Sequence, residues 1–168
     1  MIVISDTTPI LSLLKAGRLD LLQKLYESVI IPEAVYDELT INPLFKNERD
    51  KISGCPFLKV EKTENLKSVR ILRDVTGLDA GESEALIIYD EKQADLLLID
   101  EHKERSVAKR MSVEYIGTLG IFMLAYDKKI LSTEEIEKCL NILLNKNIRL
   151  SRRLCNKVLC YVGSDKTI

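Results

Sequence analysis

The sequence predicts an α/β fold, a three-layer α/β/α sandwich around a central, mostly parallel sheet. Short apolar runs alternate with longer segments of helical periodicity along most of the 168 residues. The strand-like runs are apolar throughout, as expected for strands covered on both faces. Alternation of strands with helices is typical of parallel sheets. At this length we expect a single domain, 1–168, with a helical extension from about residue 132.

The first half of the chain predicts three strands separated by helices. Residues 1–4 form an apolar run that leads into Ser5 and Asp6, and Pro9 fits the first turn of a following helix. A polar segment from 41 to 54, broken by Pro43, is expected to be the least ordered part, an excursion or a lid. The other elements expected here are helices at 10–16, 19–26, 33–40 and 64–73, and strands at 29–31 and 57–60.

The second half has clearer boundaries. Asp79 and Glu82 form a capping-box-like pair at the start of a helix that runs to about Lys92. The apolar run 96–99 is expected to be a central parallel strand. The other elements expected here are helices at 103–110, 118–128, 132–145 and 151–161, and a strand at 113–116.

Composition excludes several classes of protein. With 46% apolar and 30% charged residues the chain has the make-up of an ordinary globular protein. No apolar run approaches the ~18 residues of a membrane span, and the N-terminus does not have the pattern of a secretion signal, so we expect a cytoplasmic protein. The four cysteines have irregular spacing and the chain has one histidine, which disfavours a zinc site and predicts reduced, mostly buried thiols.

Charge is unevenly distributed although the net charge is only −1. Acidic residues concentrate between 79 and 104, and basic residues concentrate between 145 and 168. An acidic centre beside a basic flank suits a protein that binds a metal ion and a polyanion together. Ordinary solvated helix faces remain an alternative explanation.

Two carboxylates directly follow apolar strands. Asp6 follows the first run and Asp100 follows the run at 96–99. Because parallel strands end along one edge of a sheet, where open α/β sheets bind ligands, the two side chains can approach each other if their strands are neighbours. Each could instead be a helix N-cap, a common role of aspartate where a strand leads into a helix.

Glu38 is a third acid in an unexpected position. At about 100° per residue it lies beside the apolar stripe of Val35 and Leu39, whereas Asp37 points to solvent. A carboxylate at the margin of a buried stripe needs a partner. That partner could be a metal ion, or simply a lysine or arginine.

Glu82 and Glu84 lie in the first turns of a helix that is apolar nearly all round. Its acidic end must therefore face something polar. The two side chains are about 200° apart, so they cannot both point the same way. If Glu82 closes the cap, Glu84 is the better candidate to face a site, although a bent first turn would let both contribute.

Together these residues give acidic positions on four separate elements. They are Asp6, Glu38, Glu82 or Glu84, and Asp100. Clusters with only oxygen ligands suit Mg²⁺ or Mn²⁺, and carboxylates so close would repel each other without a cation. With a cation they can activate water and hold a phosphodiester. His102 is expected to be exposed, and the chain has no Gly-rich phosphate loop, so histidine-based catalysis and nucleotide binding of that kind have little support.

Six segments within roughly residues 1 to 126 form a recognisable series. In order they are VISDTTPILSL, GRLDLL, VIIPEAVYDEL, LDAGESEA, LLIDE and IGTLG. Together, in this order, they resemble the PIN-domain family, and they are most similar to a prokaryotic PIN-like group related to VapC-type toxin ribonucleases.

This resemblance implies a metal-dependent (Mg²⁺ or Mn²⁺) ribonuclease, often a homodimer and often the toxin of a toxin–antitoxin pair with a small antitoxin protein. It implies an α/β/α sandwich with a negatively charged pocket. By position it implies metal-binding and catalytic roles for Asp6, Glu38, Glu84 (with Glu82 in a related Glu-x-Glu arrangement) and Asp100, and supporting roles for Thr7 and Thr118.

The chain departs from the toxin pattern in two places. Toxins of this type often carry Asp-Ala at the third position, where this chain has Gly-Glu-Ser-Glu-Ala, so the third ligand stays open between Glu82 and Glu84. The part from about Ser132 is longer than in the smallest toxins, and its basic residues could bind RNA, seat an antitoxin or cover a dimer partner. A non-catalytic PIN-like module that binds RNA or protein is the alternative function.

Overall fold

A computed structural model describes residues 1–41, 46–146, 148 and 150–164. Within them, one sheet of five strands has the order β3-β2-β1-β4-β5, and every pairing is parallel. The strands are β1 Val3–Ser5, β2 Val29–Pro32, β3 Leu58–Glu61, β4 Leu96–Leu98 and β5 Tyr115–Ile116. The predicted α/β class is therefore confirmed, with β1 at the centre and β3 at one edge.

Helices connect the strands and follow the predicted periodicity closely. They are α1 Thr7–Lys15, α2 Asp20–Tyr26, α3 Glu33–Ile41, α4 Lys46–Ser53, α5 Leu66–Thr76, α6 Ala80–Lys92, α7 His102–Arg110, α8 Thr118–Asp127, α9 Thr133–Asn145 and α10 Arg152–Ser164. The first helix begins three residues earlier than predicted, so Thr7 is helical and Pro9 lies in the first turn. Gly17 then leaves the helical path with φ +70°, a conformation that glycine adopts without strain.

The segment from 41 to 54 was expected to be the least ordered, and this prediction is wrong for its second part. Residues 46–53 form α4, which packs on α3, and Ile52 is only 2% exposed in the core. One apolar anchor in a polar stretch is too weak a periodic signal to predict a helix. Residues 42–45, including Pro43, lie outside the described residues.

The sheet separates two apolar cores, one on each face. Val3 and Leu98 point into the larger core, which α1–α4 and α8–α10 cover. Ile4, Leu97 and Ile99 point into the smaller core, which is formed with α6 and α7. Successive strand residues alternate between the two faces because the side-chain period of a strand is two residues. The helices therefore form a layer on either side of the sheet.

The C-terminal helices extend the larger core. Residues from α9 and α10, including Leu140 and Val162, are buried in it, and Tyr126 Oη donates a hydrogen bond to Val162 O (3.0 Å). The described cysteines are all free thiols, with Cys139 and Cys155 buried and Cys160 exposed. No described helix is both long and apolar enough to cross a membrane.

Ser132 begins α9, at the start of the helix predicted for 132–145, and it forms a capping box. Its hydroxyl accepts a hydrogen bond from Glu135 N (3.3 Å), and Glu135 Oε2 accepts one from Ser132 N (2.9 Å). We expect Ser132→Ala to lower the free energy of unfolding by about 1 kcal/mol, because one N–H at the helix start loses its acceptor. Urea denaturation measures this loss. Ser132→Asp, which restores an acceptor, should recover most of it, and equal losses in both variants would contradict the capping role.

Candidate active site

Asp6 lies at the end of β1 with its side chain only 3% exposed. Its backbone N–H donates to Leu98 O on β4 (3.1 Å), which fixes it at the sheet edge. Asp6 occupies the N-cap position of α1, but its side chain makes no capping hydrogen bond. The N–H groups of Thr7 and Thr8 at the start of α1 still favour its charge, so the helix start supports this carboxylate without a regular capping hydrogen bond.

The environment of Asp6 disfavours its negative charge. Burial raises the pKa of Asp6 to about 7, the N–H groups of Thr7 and Thr8 partly oppose this rise, and the negative charges of Asp79 and Glu82 add to it. These two acids come from the start of α6. At Gly81 this helix lies close to α3 and to Asp6, since a Cβ there would stand 3.0 Å from Val35 Cγ2 and in ordinary contact, 3.6 Å, with Asp6 Oδ1.

Asp100 lies at the same sheet edge as Asp6. Their strands, β4 and β1, are neighbours, which confirms the condition on which the predicted approach depends. The Asp100 carboxylate accepts hydrogen bonds from Thr118 N (2.9 Å) and Thr118 Oγ1 (2.6 Å), and it pairs with Arg105 Nη2 (3.2 Å). Asp100 thus caps α8, and not the helix that directly follows it in sequence.

Glu38 is half-buried on α3, while Asp37 is exposed, as the helical periodicity predicted. The Glu38 carboxylate accepts a hydrogen bond from Thr7 Oγ1 (2.6 Å). The expected partner of Glu38 is therefore the hydroxyl of Thr7, the residue that follows Asp6. Thr7 and Thr118 each hold one predicted site acid, so both hydroxyls support acidic side chains in this structure.

Glu82 and Glu84 have different partners. Glu82 completes the predicted capping box, because its Oε2 accepts from Asp79 N (2.8 Å) and its own N–H donates to Asp79 Oδ1 (2.9 Å). Glu84 Oε2 accepts from Ala34 N (3.1 Å) in the first turn of α3, where a negative charge is favourable. Of the two, Glu82 is the acid whose charge raises the pKa of Asp6.

Glu104 is an acid that the sequence analysis missed. It is 0% exposed in the first turn of α7, and neither of its carboxylate oxygens has a hydrogen-bond partner in the described part of the chain. Burial raises the pKa of Glu104 to about 11, and the charges of Asp6, Glu82 and Asp79 add to this rise. Glu104 therefore lies among the acids that surround Asp6.

The helical phase of α7 contained a signal for this position. Val107 and Ala108 are buried three and four residues after Glu104, so the three side chains share one face of the helix. The charged neighbours in Glu-His-Lys-Glu-Arg obscure that phase. They make the first turn resemble a solvated surface.

Comparison with known families agrees with this geometry. A family model described as a PIN domain matches residues 2–164. The chain belongs to the PIN-domain family. PIN domains are generally nucleases and typically use divalent metal ions. The comparisons with curated proteins and with solved structures each gave no match.

The acids of this PIN domain fit a hard divalent cation by their chemistry. The donors are carboxylate oxygens, Asp6 is buried among acids, and both oxygens of Glu104 lack a partner among the described residues. Within the same residues, no three His, Cys, Asp or Glu side chains are arranged as a ready-made metal site. The donor chemistry therefore suits such an ion, whereas the arrangement of the described acids does not by itself form a complete site.

A cavity of about 600 Å³ opens beside Asp100 in this PIN domain. Apolar side chains from β5, α8 and α10 form most of its wall, and the exposed side chains of His102 and Lys157 stand at its rim. His102 is exposed, as predicted. The remaining lining residues are Arg105, Tyr115, Ile116, Gly117, Leu119, Gly120, Met123, Leu150, Ser151, Leu154 and Val158. The acidic edge therefore adjoins a space with basic side chains at its margin.

Proposed function

We propose that this PIN domain is a metal-dependent ribonuclease that hydrolyses RNA phosphodiester bonds with Mg²⁺ or Mn²⁺. One observation carries the proposal: Asp6 is buried at a sheet edge where the charges that act on it most strongly, Asp79 and Glu82, are also negative. Burying like charges together is costly unless a cation joins them. Family membership supports the same conclusion, because PIN domains are generally nucleases.

The residues proposed to hold the ion are the predicted acids. They are Asp6, Glu38, Asp100 and one or both of Glu82 and Glu84. The coupling of Glu82 to Asp6, together with the bond between Glu84 and the start of α3, supports Glu82 as the nearer third acid. A divalent ion held there supplies Lewis-acid activation of water and of the phosphodiester.

The chain itself orients these acids and provides charge for RNA. Thr7 holds Glu38 and Thr118 holds Asp100, so two carboxylates are fixed before substrate arrives. Lys157 at the rim of the cavity, with the exposed Arg152 and Arg153 nearby in sequence, is suited to contact backbone phosphates. Arg149 and Lys166, also part of the predicted basic flank, lie outside the described residues.

The direct test is cleavage of RNA by the purified protein with Mn²⁺, and again with excess EDTA. We expect cleavage only with the metal, and we expect Asp100→Asn to slow it at least about tenfold, because the amide binds a cation more weakly. Asp95→Asn is the matched control, since Asp95 is exposed before the same strand, at its opposite end, and the amide oxygen of asparagine can still accept the bond from Ile2 N (2.6 Å). Cleavage that survives EDTA, or that Asp95→Asn reduces as much as Asp100→Asn, would refute the proposal.

A non-catalytic module that binds RNA or protein is the second candidate. The observation that favours it is that the described acids are not arranged as a ready-made metal site. Calorimetric titration with Mn²⁺ discriminates the two functions, because a module of this kind takes up no metal while it still binds RNA. We favour the nuclease because an unneeded buried acid cluster would be costly to retain.

The proposal includes partners and location. We propose a toxin of the VapC-related type that works in the cytoplasm as a homodimer and is silenced by a small antitoxin protein. Exposed apolar side chains on α5 support the presence of a protein partner on that helix. Ile71 and Val75 are one turn apart and are 53% and 78% exposed. A neighbouring gene for a small antitoxin-like protein would support the toxin role.

A further inference from the structure

Glu104 stands apart from the acids that the sequence singled out. It enters from α7, a helix that none of the four predicted acidic positions occupies, and it is 0% exposed. Among the described residues neither carboxylate oxygen has a hydrogen-bond donor. A buried carboxylate without donors is rare in folded proteins and needs a physical explanation.

The side chain faces acids, and its basic neighbours point elsewhere. The charges that act on Glu104 most strongly are those of Asp6, Glu82 and Asp79. Lys103 donates to Gly77 O, and Arg105 binds Ile99 O and Asp100. No basic side chain described next to Glu104 in sequence therefore neutralises it.

An apolar residue would serve the packing of α7 better than glutamate. Val107 and Ala108 continue the same face of the helix into the smaller core. Burial raises the pKa of Glu104, so in the metal-free protein its carboxyl group is uncharged, and an apolar side chain of similar size would avoid burying a polar group that has no partner among the described residues. Packing alone therefore gives no reason for an acid at this position, whereas a shared cation does.

We propose that Glu104 is an additional carboxylate ligand of the divalent cation, reaching the ion from α7 on the side of Asp6. This inference rests on the proposed function, and it adds a ligand to the acid set predicted from sequence. Oxygen ligands from several elements suit Mg²⁺ and Mn²⁺. The two oxygens of Glu104, which have no donor among the described residues, provide what a hard cation requires.

The test is calorimetric titration of the full-length protein with Mn²⁺ alone, in the absence of RNA. We expect Glu104→Gln to weaken Mn²⁺ binding by about tenfold or more. Thermal unfolding provides a second readout. The melting temperature of the metal-free Glu104→Gln protein should equal or exceed that of the wild type, whereas the rise caused by Mn²⁺ should be smaller, because ligand stabilisation follows affinity.

Glu101→Gln is the matched control. It makes the same substitution immediately before the same helix, but Glu101 is exposed. We expect this variant to bind Mn²⁺ like the wild type. Equal weakening in both variants would indicate a general effect of charge and would overturn the assignment.

The remaining outcomes separate this inference from the proposed function. Wild-type Mn²⁺ affinity in Glu104→Gln would overturn the role of Glu104 and leave the nuclease proposal standing. Absence of Mn²⁺ uptake by the wild-type protein would overturn both. If Glu104→Gln does not fold, Glu104→Leu, which fills the site without a polar group, takes its place with the same expected loss of Mn²⁺ affinity.

Discussion

Replacing Asp6 by Asn is expected to stabilise the metal-free protein and to reduce RNA cleavage by about a thousandfold. The loss of activity follows from the loss of a buried ligand, since a metal ion contributes several kcal/mol of transition-state stabilisation and each 1.4 kcal/mol is about tenfold in rate. The gain in stability follows from burial, which makes the negative charge of Asp6 unfavourable in the fold.

The raised pKa of Asp6 determines how its contribution to stability changes with pH. The pKa of Asp6 is raised from 3.8 to about 7, so between these values the unfolded chain loses a proton that the folded protein keeps. The contribution of Asp6 to the stability of the metal-free protein therefore falls as pH rises from about 4 to about 7. The difference between these two pKa values corresponds to a loss of at most about 4 kcal/mol in the free energy of unfolding above pH 7. Asp6→Asn removes the contribution, so its stability should decline less over this window.

Urea denaturation at pH 4 and pH 8 with EDTA, together with cleavage at pH 8 with Mn²⁺, measures both halves of the prediction. Asp74→Asn is the control, because Asp74 is exposed on α5 and should change neither property. If Asp6→Asn lowers the stability of the metal-free protein at pH 8, Asp6 is a structural acid, and the argument from unfavourable buried charge fails.

Gly117→Ala is expected to cost about 3 kcal/mol of stability and to reduce cleavage strongly. A Cβ at Gly117 would overlap Arg105 Nη2 and Asp100 Oδ1, and it would stand 2.9 Å from Ile99 O. These atoms form the hydrogen bonds that fix Asp100 against the start of α8. Overpacking of this kind typically costs 1–3 kcal/mol, and here it also displaces a site carboxylate.

Gly163→Ala provides the comparison, since no heavy atom lies within 4 Å of a Cβ at Gly163. Gly163 is the second-last residue of α10, so alanine there should be neutral or stabilising by a few tenths of a kcal/mol, about half or less of the value for a helix interior. Urea denaturation of both variants, followed by cleavage assays, separates the effect of crowding at Gly117 from the general effect of adding a methyl group. Wild-type stability in Gly117→Ala would show that Arg105 can move away freely.

The sequence predicted the sheet and the site edge because both depend on local patterns. The apolar runs before Asp6 and Asp100 predicted where β1 and β4 end. The alternation of strands with helices predicted that these strands pair in parallel. The stripe of Val35 and Leu39 correctly separated half-buried Glu38 from exposed Asp37. These features need only the periods of helix and strand.

Contacts between residues far apart in sequence could not be predicted from these periodic patterns. The bond from Ala34 N to Glu84 joins residues 50 positions apart, and the hydroxyl of Thr118 reaches Asp100 from the next helix but one. Such pairs depend on how helices meet across the sheet, which periodicity does not specify. Glu104 was missed for a different reason, since its helical phase was readable but was hidden by charged neighbours.

The adjacent positions of Glu104 and Arg105 on α7 have a consequence for both strand ends. Consecutive residues on a helix point about 100° apart. Glu104 therefore turns toward Asp6 while Arg105 turns toward Asp100, so one helical turn carries a carboxyl group to the first strand end and a guanidinium group to the second. Because both side chains belong to one helix, a substitution that displaces α7 is expected to change the surroundings of both strand ends together.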